Sequence, residues 1–314
     1  MRAIFKLGII ISAGLLTTPS QADCTNNCIN VGSFNIKMFG NGNFPAKSDK
    51  SIEELVERID SKANLDVVAL QEVNINSSDW RDRLLPALQD KGYELTGTGT
   101  YGGESSTRQQ FVVLMHRKHK INAIDPATEV SQSNSYSGNG MCNYTGIRSP
   151  LTAYYGARSG SFDFRVYAVH LKSKLPVGGA PESCDDEIRR HQLNLIGTAI
   201  KERRKSSDER DFLVLGDFNA SYGDPELQPL KDAGLNSLHT GTCNKNTLQG
   251  CSHVNRNRRY RDLIDFIYAS GDVSEYIPHS AQVMQISDVR RYNREQSDHV
   301  PIWASFDIGE KDDD

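Results

Sequence analysis

The chain has 314 residues, 37% of them hydrophobic and 24% charged, with a mean hydropathy of −0.53. That length and apolar fraction suit one large domain or two small ones with a substantial core, and they exclude a disordered, collagen-like or disulfide-only chain. With 36 basic and 40 acidic residues the net charge is −4, so a uniformly basic nucleic-acid-coating protein is excluded, while a locally basic face is not.

Residues 1–22 read as a secretory signal. Arg2 and Lys6 start it, residues 7–16 (LGIIISAGLL) are an apolar run of suitable length, and Ser20 and Ala22 are small residues before the cleavage point. A membrane anchor needs about 20 apolar residues, and this run is too short. Cleavage after Ala22 removes Arg2 and Lys6 and takes the net charge from −4 to −6. No other stretch is apolar enough to span a bilayer. The expected product is a secreted monomer, extracellular or periplasmic, with no stable membrane insertion.

All six cysteines (Cys24, Cys28, Cys142, Cys184, Cys243, Cys251) follow the leader. An even count in an exported chain implies disulfides. Zinc is the alternative, but no C-x-x-C pair or nearby Cys/His quartet is present. Proximity pairs Cys24 with Cys28 and Cys243 with Cys251, leaving Cys142 with Cys184.

In chain order, residues 29–36 and 66–71 are expected to form buried strands. Between them Ile52, Leu55, Val56 and Ile59 fall on one helical face behind a Ser51…Glu54 capping box. Further strands are expected at 111–115, 151–157 and 162–170. The HRKHK run at 116–120 is read as surface, like KERRK at 201–205. Residues 185–205 form a long amphipathic helix with Ile188, Leu195, Ile196, Ala199 and Ile200 inward. Strands at 212–215, 263–269 and 300–306 complete the set. Many strands with few helices point to two sheets packed face to face and covered outside by helices. The stretches 122–148, 173–185 and 237–261 read as long polar loops, and 309–314 as a solvated acidic tail. One domain is expected over 23–308.

Polar residues interrupt the apolar runs in a consistent place. Asn35 follows VGSF, Glu72 follows DVVALQ and His170 ends FRVYAV. Asp217 and Asn219 follow FLVLG, Asp265 sits in LIDFIYA, and Asp298-His299 precedes VPIW. Singly, a strand-end Asp or Asn commonly caps a turn, and a strand-end His is commonly structural. As a set, if the ends converge, they form an oxygen-rich site suited to Mg²⁺ or Ca²⁺, with imidazoles for proton transfer.

The segments FNIKMFG (34–40), LQEV (70–73), RSP (148–150), VHLKS (169–173), GDFNA (216–220), IDFIYA (264–269) and SDHVPI (297–302) occur in this order. Together they resemble the endonuclease/exonuclease/phosphatase superfamily, most closely its deoxyribonuclease I-like members, over about residues 29 to 307. The resemblance implies an α/β fold: a four-layered sandwich of two mainly antiparallel sheets flanked by helices, with a phosphodiesterase site at one edge. It implies a metal site at Asn35 and Glu72 with Asp298 nearby, holding Mg²⁺, with Mn²⁺ or Ca²⁺ as alternatives. A hard ion there needs carboxylate oxygens and neutralises charge developing on a phosphate.

Asp265 and His299 match a carboxylate–imidazole pair, and Asp217 and Asn219 match residues that orient the attacking water. His170 matches a second imidazole suited to protonating the leaving oxygen, and Arg148 a phosphate-contacting arginine. The resemblance leaves the general base open. Two positions depart from the relatives. Gln110 (or Gln109) stands where a glutamate pairs the second histidine, and an amide can orient an imidazole but cannot stabilise its charged form. Asn74 stands where an arginine enters the minor groove of DNA, leaving Lys37 and Arg148 for that side.

Arg256, Arg258, Arg259 and Arg261 crowd the loop before Asp265, and Arg290, Arg291 and Arg294 the loop before Asp298. A solvated basic loop is the bland reading. Both clusters enter the candidate site of an acidic protein, so they are also candidates to track a polyanion backbone. The reading reached is a secreted Mg²⁺-dependent nuclease acting on DNA, with RNA as a second substrate and little sequence preference. The alternatives are a sphingomyelinase or phosphoinositide phosphatase on the same fold, and a binding module with a dead site. Loops rich in Asn, Ser and Arg argue against a lipid surface, and the complete residue set argues against a dead site.

Overall fold

Along the central strands consecutive side chains point to opposite faces, and both faces are apolar, which is the pattern of a sheet covered on two sides. The computed structural model describes residues 27–41, 47–100, 109–130, 135–138, 142–174, 182–206, 209–271 and 273–309. The expected leader, Cys24 and the tail beyond Gly309 lie outside the described residues. In chain order the strands are β1 (Cys28–Phe39), β2 (Val67–Val73), β3 (Tyr93–Thr98), β4 (Phe111–Arg117), β5 (Ile121–Glu129), β6 (Ser135–Ser137) and β7 (Asn143–Thr145). They continue with β8 (Leu151–Ala157), β9 (Asp163–His170), β10 (Phe212–Asp217), β11 (Leu235–Ser237), β12 (Asp265–Ser270), β13 (Gln282–Val283) and β14 (Ile302–Asp307). The α-helices are α1 (Asp49–Glu57), α2 (Leu85–Asp90), α3 (Glu182–Ser206), α4 (Gln228–Asp232) and α5 (Val289–Glu295).

Two six-stranded sheets form, in the orders β13-β14-β1-β2-β4-β3 and β11-β12-β10-β9-β8-β5. Each has one parallel pair at its centre, β1 with β2 and β9 with β10, and antiparallel neighbours elsewhere. Val67 and Ala69 of β2 meet Leu213 and Leu215 of β10 between the sheets. Val68 and Leu70 turn outward onto Ile52 and Leu55 of α1, and Phe212 and Val214 outward onto Leu193, Ile196 and Ile200 of α3. Burying each such side chain contributes about 1.5–3 kcal/mol. The result is the expected four-layered α/β sandwich.

Four local expectations change. The N-cap of α1 is Ser48, whose Oγ accepts the Ser51 N–H at 3.1 Å, so the helix starts a turn before the expected capping box and Asp49 sits at its positive end. In α3 it is Leu193 that is fully buried, with Leu195 half-buried. The 122–148 stretch contains β5 and the β6–β7 hairpin. It reads as loop because β5 is an edge strand with one wet face, and because pairing slips between Asp125 and Thr128, where Pro126 has no N–H to give. Within 116–120, His116 and Arg117 are buried at the end of β4, where Arg117 donates to Asn64 Oδ1 at 2.7 Å and Asp60 Oδ1 at 3.0 Å.

Cys142–Cys184 and Cys243–Cys251 are bridged as proximity predicts. Cys28 is disulfide-bonded as well. No helix among the described residues is long and apolar enough to cross a membrane.

Candidate active site

Strand register assembles half of the site. Asp217 closes β10, opposite His170 on its parallel neighbour β9 and opposite Asp265 on its antiparallel neighbour β12. The second sheet therefore presents the three side by side at one edge. From the first sheet, Asn35 of β1 reaches across, and its Nδ2 donates to Asp217 Oδ2 and to Glu72 Oε1, both at 3.0 Å. His299, just before β14, donates from Nδ1 to Asp265 Oδ2 at 2.8 Å. One carboxylate oxygen is central: Asp217 Oδ2 lies 3.7 Å from His170 Nε2 and 3.8 Å from His299 Nε2. His170 Nε2 is also 3.8 Å from Glu72 Oε1.

The backbone must bend to achieve this. A regular β2 would send Glu72 to the same face as Leu70, against the helices. Instead the pairing of β1 with β2 slips after Asn35, that of β2 with β4 slips after Leu70, and Lys37, Met38 and Glu72 take φ values of 43°, 48° and 60°. Left-handed conformations at such residues cost of order 1–3 kcal/mol each. Hydrogen bonds hold them: Met38 N–H donates to Glu72 Oε2 at 2.9 Å and Lys37 N–H to Asn35 Oδ1 at 3.0 Å. Gly216 (φ 145°) has a steric role, since a Cβ there would stand 2.0 Å from Val169 O. After it, Asn219 (φ 49°) donates its N–H to Asp217 Oδ1 at 2.9 Å and its Nδ2 to Leu171 O at 3.1 Å.

Burial and charge divide the two imidazoles. Burial lowers the His170 pKa well below its ordinary value, and Arg148 and His299 push the same way. Burial alone would lower His299 too, but Asp265 and Asp217 beside it outweigh that and push it up to about 10. Asp217 is pushed up to about 6, chiefly by burial, with His299 opposing and Asp265 adding. At neutral pH the positive charge therefore sits on His299, and His170 is neutral. Burial acts to raise Asp298, yet neighbouring His253, His299 and Lys37 hold its carboxyl well below the usual range.

Glu72, His170 and Asp217 form one cluster whose ligand atoms lie within 4.8 Å of one another; Asp217, Asp265 and His299 form a second, and His253, Asp298 and His299 a third. The first fits a divalent ion by its donors. Among the described residues each oxygen of Glu72 and Asp217 accepts a single hydrogen bond, which leaves lone pairs for a cation. Asn35 is joined to this cluster. Asp298 is not: its Oδ2 is 2.7 Å from Lys37 Nζ and 3.7 Å from His253 Nε2.

A profile of the Endonuclease/Exonuclease/phosphatase family matches residues 32–299. The chain belongs to this family. No curated protein sequence matches it. Among solved structures, an endonuclease/exonuclease/phosphatase family protein from Bacteroides thetaiotaomicron is similar at TM-score 0.59 and 17% identity, covering 90% of this chain and 98% of that one. A mannosyl-6-phosphatase from the same species is similar at TM-score 0.54 and 16% identity, covering 88% and 98%. TDP2 from D. rerio, complexed with single strand DNA product, is similar at TM-score 0.56 and 16% identity, covering 90% and 100%. At these identities the likeness is one of fold.

In this family member the flanking residues fall into two groups. Arg148 braces the site from inside: it donates to His170 O at 2.9 Å, Leu171 O at 2.8 Å and Gln110 Oε1 at 2.7 Å, leaving two of its five N–H groups. Gln110 thus faces Arg148 and Met38, and Gln109 accepts from Asn76, while the buried Nδ1 of His170 has no hydrogen-bond partner among the described residues. Asn74 donates to Gly40 O and accepts the Asn76 N–H. Arg261 is buried, donating to Asn255 O and Lys245 O, and Arg258 donates to Asn246. Arg291 and Arg294 pair with Glu295. Arg256, Arg259 and Arg290 are exposed, and none has an ion pair among the described residues.

His253 escapes sequence reasoning. It lies in no apolar run, and it is placed by pairing between segments: Val254 N–H donates to Asp298 O at 2.7 Å and Val300 N–H to Ser252 O at 2.9 Å. These bonds set its ring 4.8 Å from that of His299. The available signal was its position two residues after Cys251, whose bridge anchors the segment.

Proposed function

We propose that the protein is a secreted, Mg²⁺-dependent nuclease that hydrolyses phosphodiester bonds of DNA with little sequence preference, with RNA as a second substrate and Mn²⁺ or Ca²⁺ as alternative ions. The observation that carries this is the Asp217 carboxylate, held by Asn35 between two imidazoles where the edges of both sheets meet. Glu72 and Asp217 would hold the ion, which supplies charge neutralisation of the phosphate. Asp217 and Asn219 orient the attacking water. His299, fixed by Asp265, presents a charged Nε2–H toward the phosphate, and the neutral His170 hydrogen-bonds beside it. Substrate length is argued from the rim. Exposed guanidinium groups near Lys37 that make no ion pair among the described residues suit a chain of phosphates.

The second reading, a phosphatase for a sugar or lipid phosphate, is kept alive by the fold, which the mannosyl-6-phosphatase shares. A lipid surface wants contiguous exposed apolar groups, and the exposed large ones among the described residues are Leu95, Ile124, Tyr222 and Tyr260. The test is nicking of supercoiled plasmid with Mg²⁺, with chelator, and by Glu72→Gln. Mg²⁺-dependent nicking that falls about a hundredfold or more in Glu72→Gln is expected. Wild-type protein that leaves DNA and RNA intact while releasing phosphate from a sugar phosphate or lipid would refute the proposal.

A further inference from the structure

A cavity of about 950 Å³ opens beside Lys37, lined by Lys37, Asn255, Arg256, Tyr260, Arg290 and Arg294 among others. Because Lys37 is ion-paired to Asp298, this cavity adjoins the site. A further cavity of about 330 Å³ shares Arg256 and Arg290 and extends past Arg258. The two cavities share Arg256 and Arg290 and so make one groove with more than one cation along it.

Two features of its lining have no use within the protein. Arg256 and Arg290 are exposed cations without an anionic partner among the described residues, and both line both cavities. Tyr260 is 55% exposed, the most exposed large hydrophobic side chain described. Its backbone is ordered, ending a short helical turn (Arg258–Tyr260) that Asn257 caps through its Oδ1 on the Arg259 N–H at 3.1 Å. A ring carried on an ordered turn, with only two side-chain torsions to fix, costs less ordering when it is covered than one on a loose loop.

A sugar phosphate needs one cationic contact and would leave the second exposed guanidinium unused. A lipid surface needs neighbouring apolar side chains, and Tyr260 is surrounded by arginine and amide groups. A duplex offers phosphates, but its base faces are covered by their neighbours. A single strand supplies both a row of phosphates and uncovered base faces. We propose that this groove binds single-stranded nucleic acid leading away from the scissile phosphate, with a base stacked on Tyr260 and backbone phosphates on Arg256 and Arg290. This deepens the nuclease reading and rests on it for where the scissile phosphate lies.

The probes are a thymidine 12-mer, an abasic 12-mer of equal charge and a 12-base-pair duplex. Affinity is read by fluorescence anisotropy on the full chain with metal withheld, so it does not depend on cleavage. Wild-type protein should bind the thymidine strand about tenfold more tightly than the abasic one. Tyr260→Ala should lose that preference without weakening abasic binding, and Tyr260→Trp should restore it. Tyr260→Ala should change duplex affinity less than about twofold, a margin set by the absence of stacking. Arg256→Ala and Arg290→Ala should weaken both single strands alike and each lower the salt slope by about 0.7. Equal wild-type affinity for the two single strands, or an equal loss on both in Tyr260→Ala, overturns the inference. Cleavage by wild-type protein with Mg²⁺ is scored separately. Base-dependent binding without cleavage of any nucleic acid overturns the nuclease reading alone, and cleavage without base dependence overturns this inference alone.

Discussion

Acid should weaken the protein through a histidine outside the catalytic cluster. His239 follows β11, is 5% exposed, and donates from Nε2 to Gln282 O of β13 at 3.0 Å, which ties the start of the 239–261 segment to the other sheet. Burial pulls its pKa from 6.5 down to about 4, against the opposing pull of its backbone hydrogen bonds and Asp265. A group whose folded pKa is depressed contributes stability that is complete above the unfolded pKa and lost as pH falls through the folded one. The window here is pH 6.5 to 4. At about 1.4 kcal/mol per pH decade, His239 removes about 3 kcal/mol across it. That is a large share of a typical stability of about 5–15 kcal/mol. His239→Gln keeps an N–H for Gln282 O and cannot take up a proton. Urea unfolding at pH 7 and pH 4 should show the wild type losing about 3 kcal/mol more than the variant over that interval. Parallel losses in the two proteins would refute the reasoning.

Two further outcomes follow from the site and the bridges. Asp265→Asn removes the charge that fixes His299, so kcat for plasmid nicking should fall about a hundredfold or more with little change in KM, and an unchanged kcat would remove the pair from the chemistry. Cys142–Cys184 spans 42 residues and Cys243–Cys251 spans 8, so loop-closure entropy predicts losses of about 4 and about 2.5 kcal/mol for the Cys142→Ser/Cys184→Ser and Cys243→Ser/Cys251→Ser double variants. Denaturant midpoints give the comparison, and equal losses would show that strain or residual structure, not loop length, sets the contribution.

Much of this was legible along the chain because it depends on near neighbours. Apolar runs marked the central strands, since a strand covered on both faces is apolar at consecutive positions. Polar residues ending those runs marked Asn35, Glu72, His170 and Asp217, because a buried strand tolerates such groups only where it opens. Cys243 and Cys251 are close enough in sequence for proximity to pair them. Other features depend on groups far apart in sequence, and tertiary structure alone decided them. The edge strand β5 read as loop because one face is wet. Glu72 reaches Asn35 only because two sheet registers slip and three residues turn left-handed. Gln110 faces Arg148 and not His170, a choice made by packing across 38 and 60 positions. Arg261 and Arg290 look alike in sequence, yet one is buried on backbone carbonyls and the other stands exposed in a groove, with no ion pair among the described residues. His253 enters the site because hydrogen bonds between segments 252–254 and 298–300 lay it beside His299. Periodicity reports which face a residue prefers, whereas long-range hydrogen bonds and sheet packing decide what it touches.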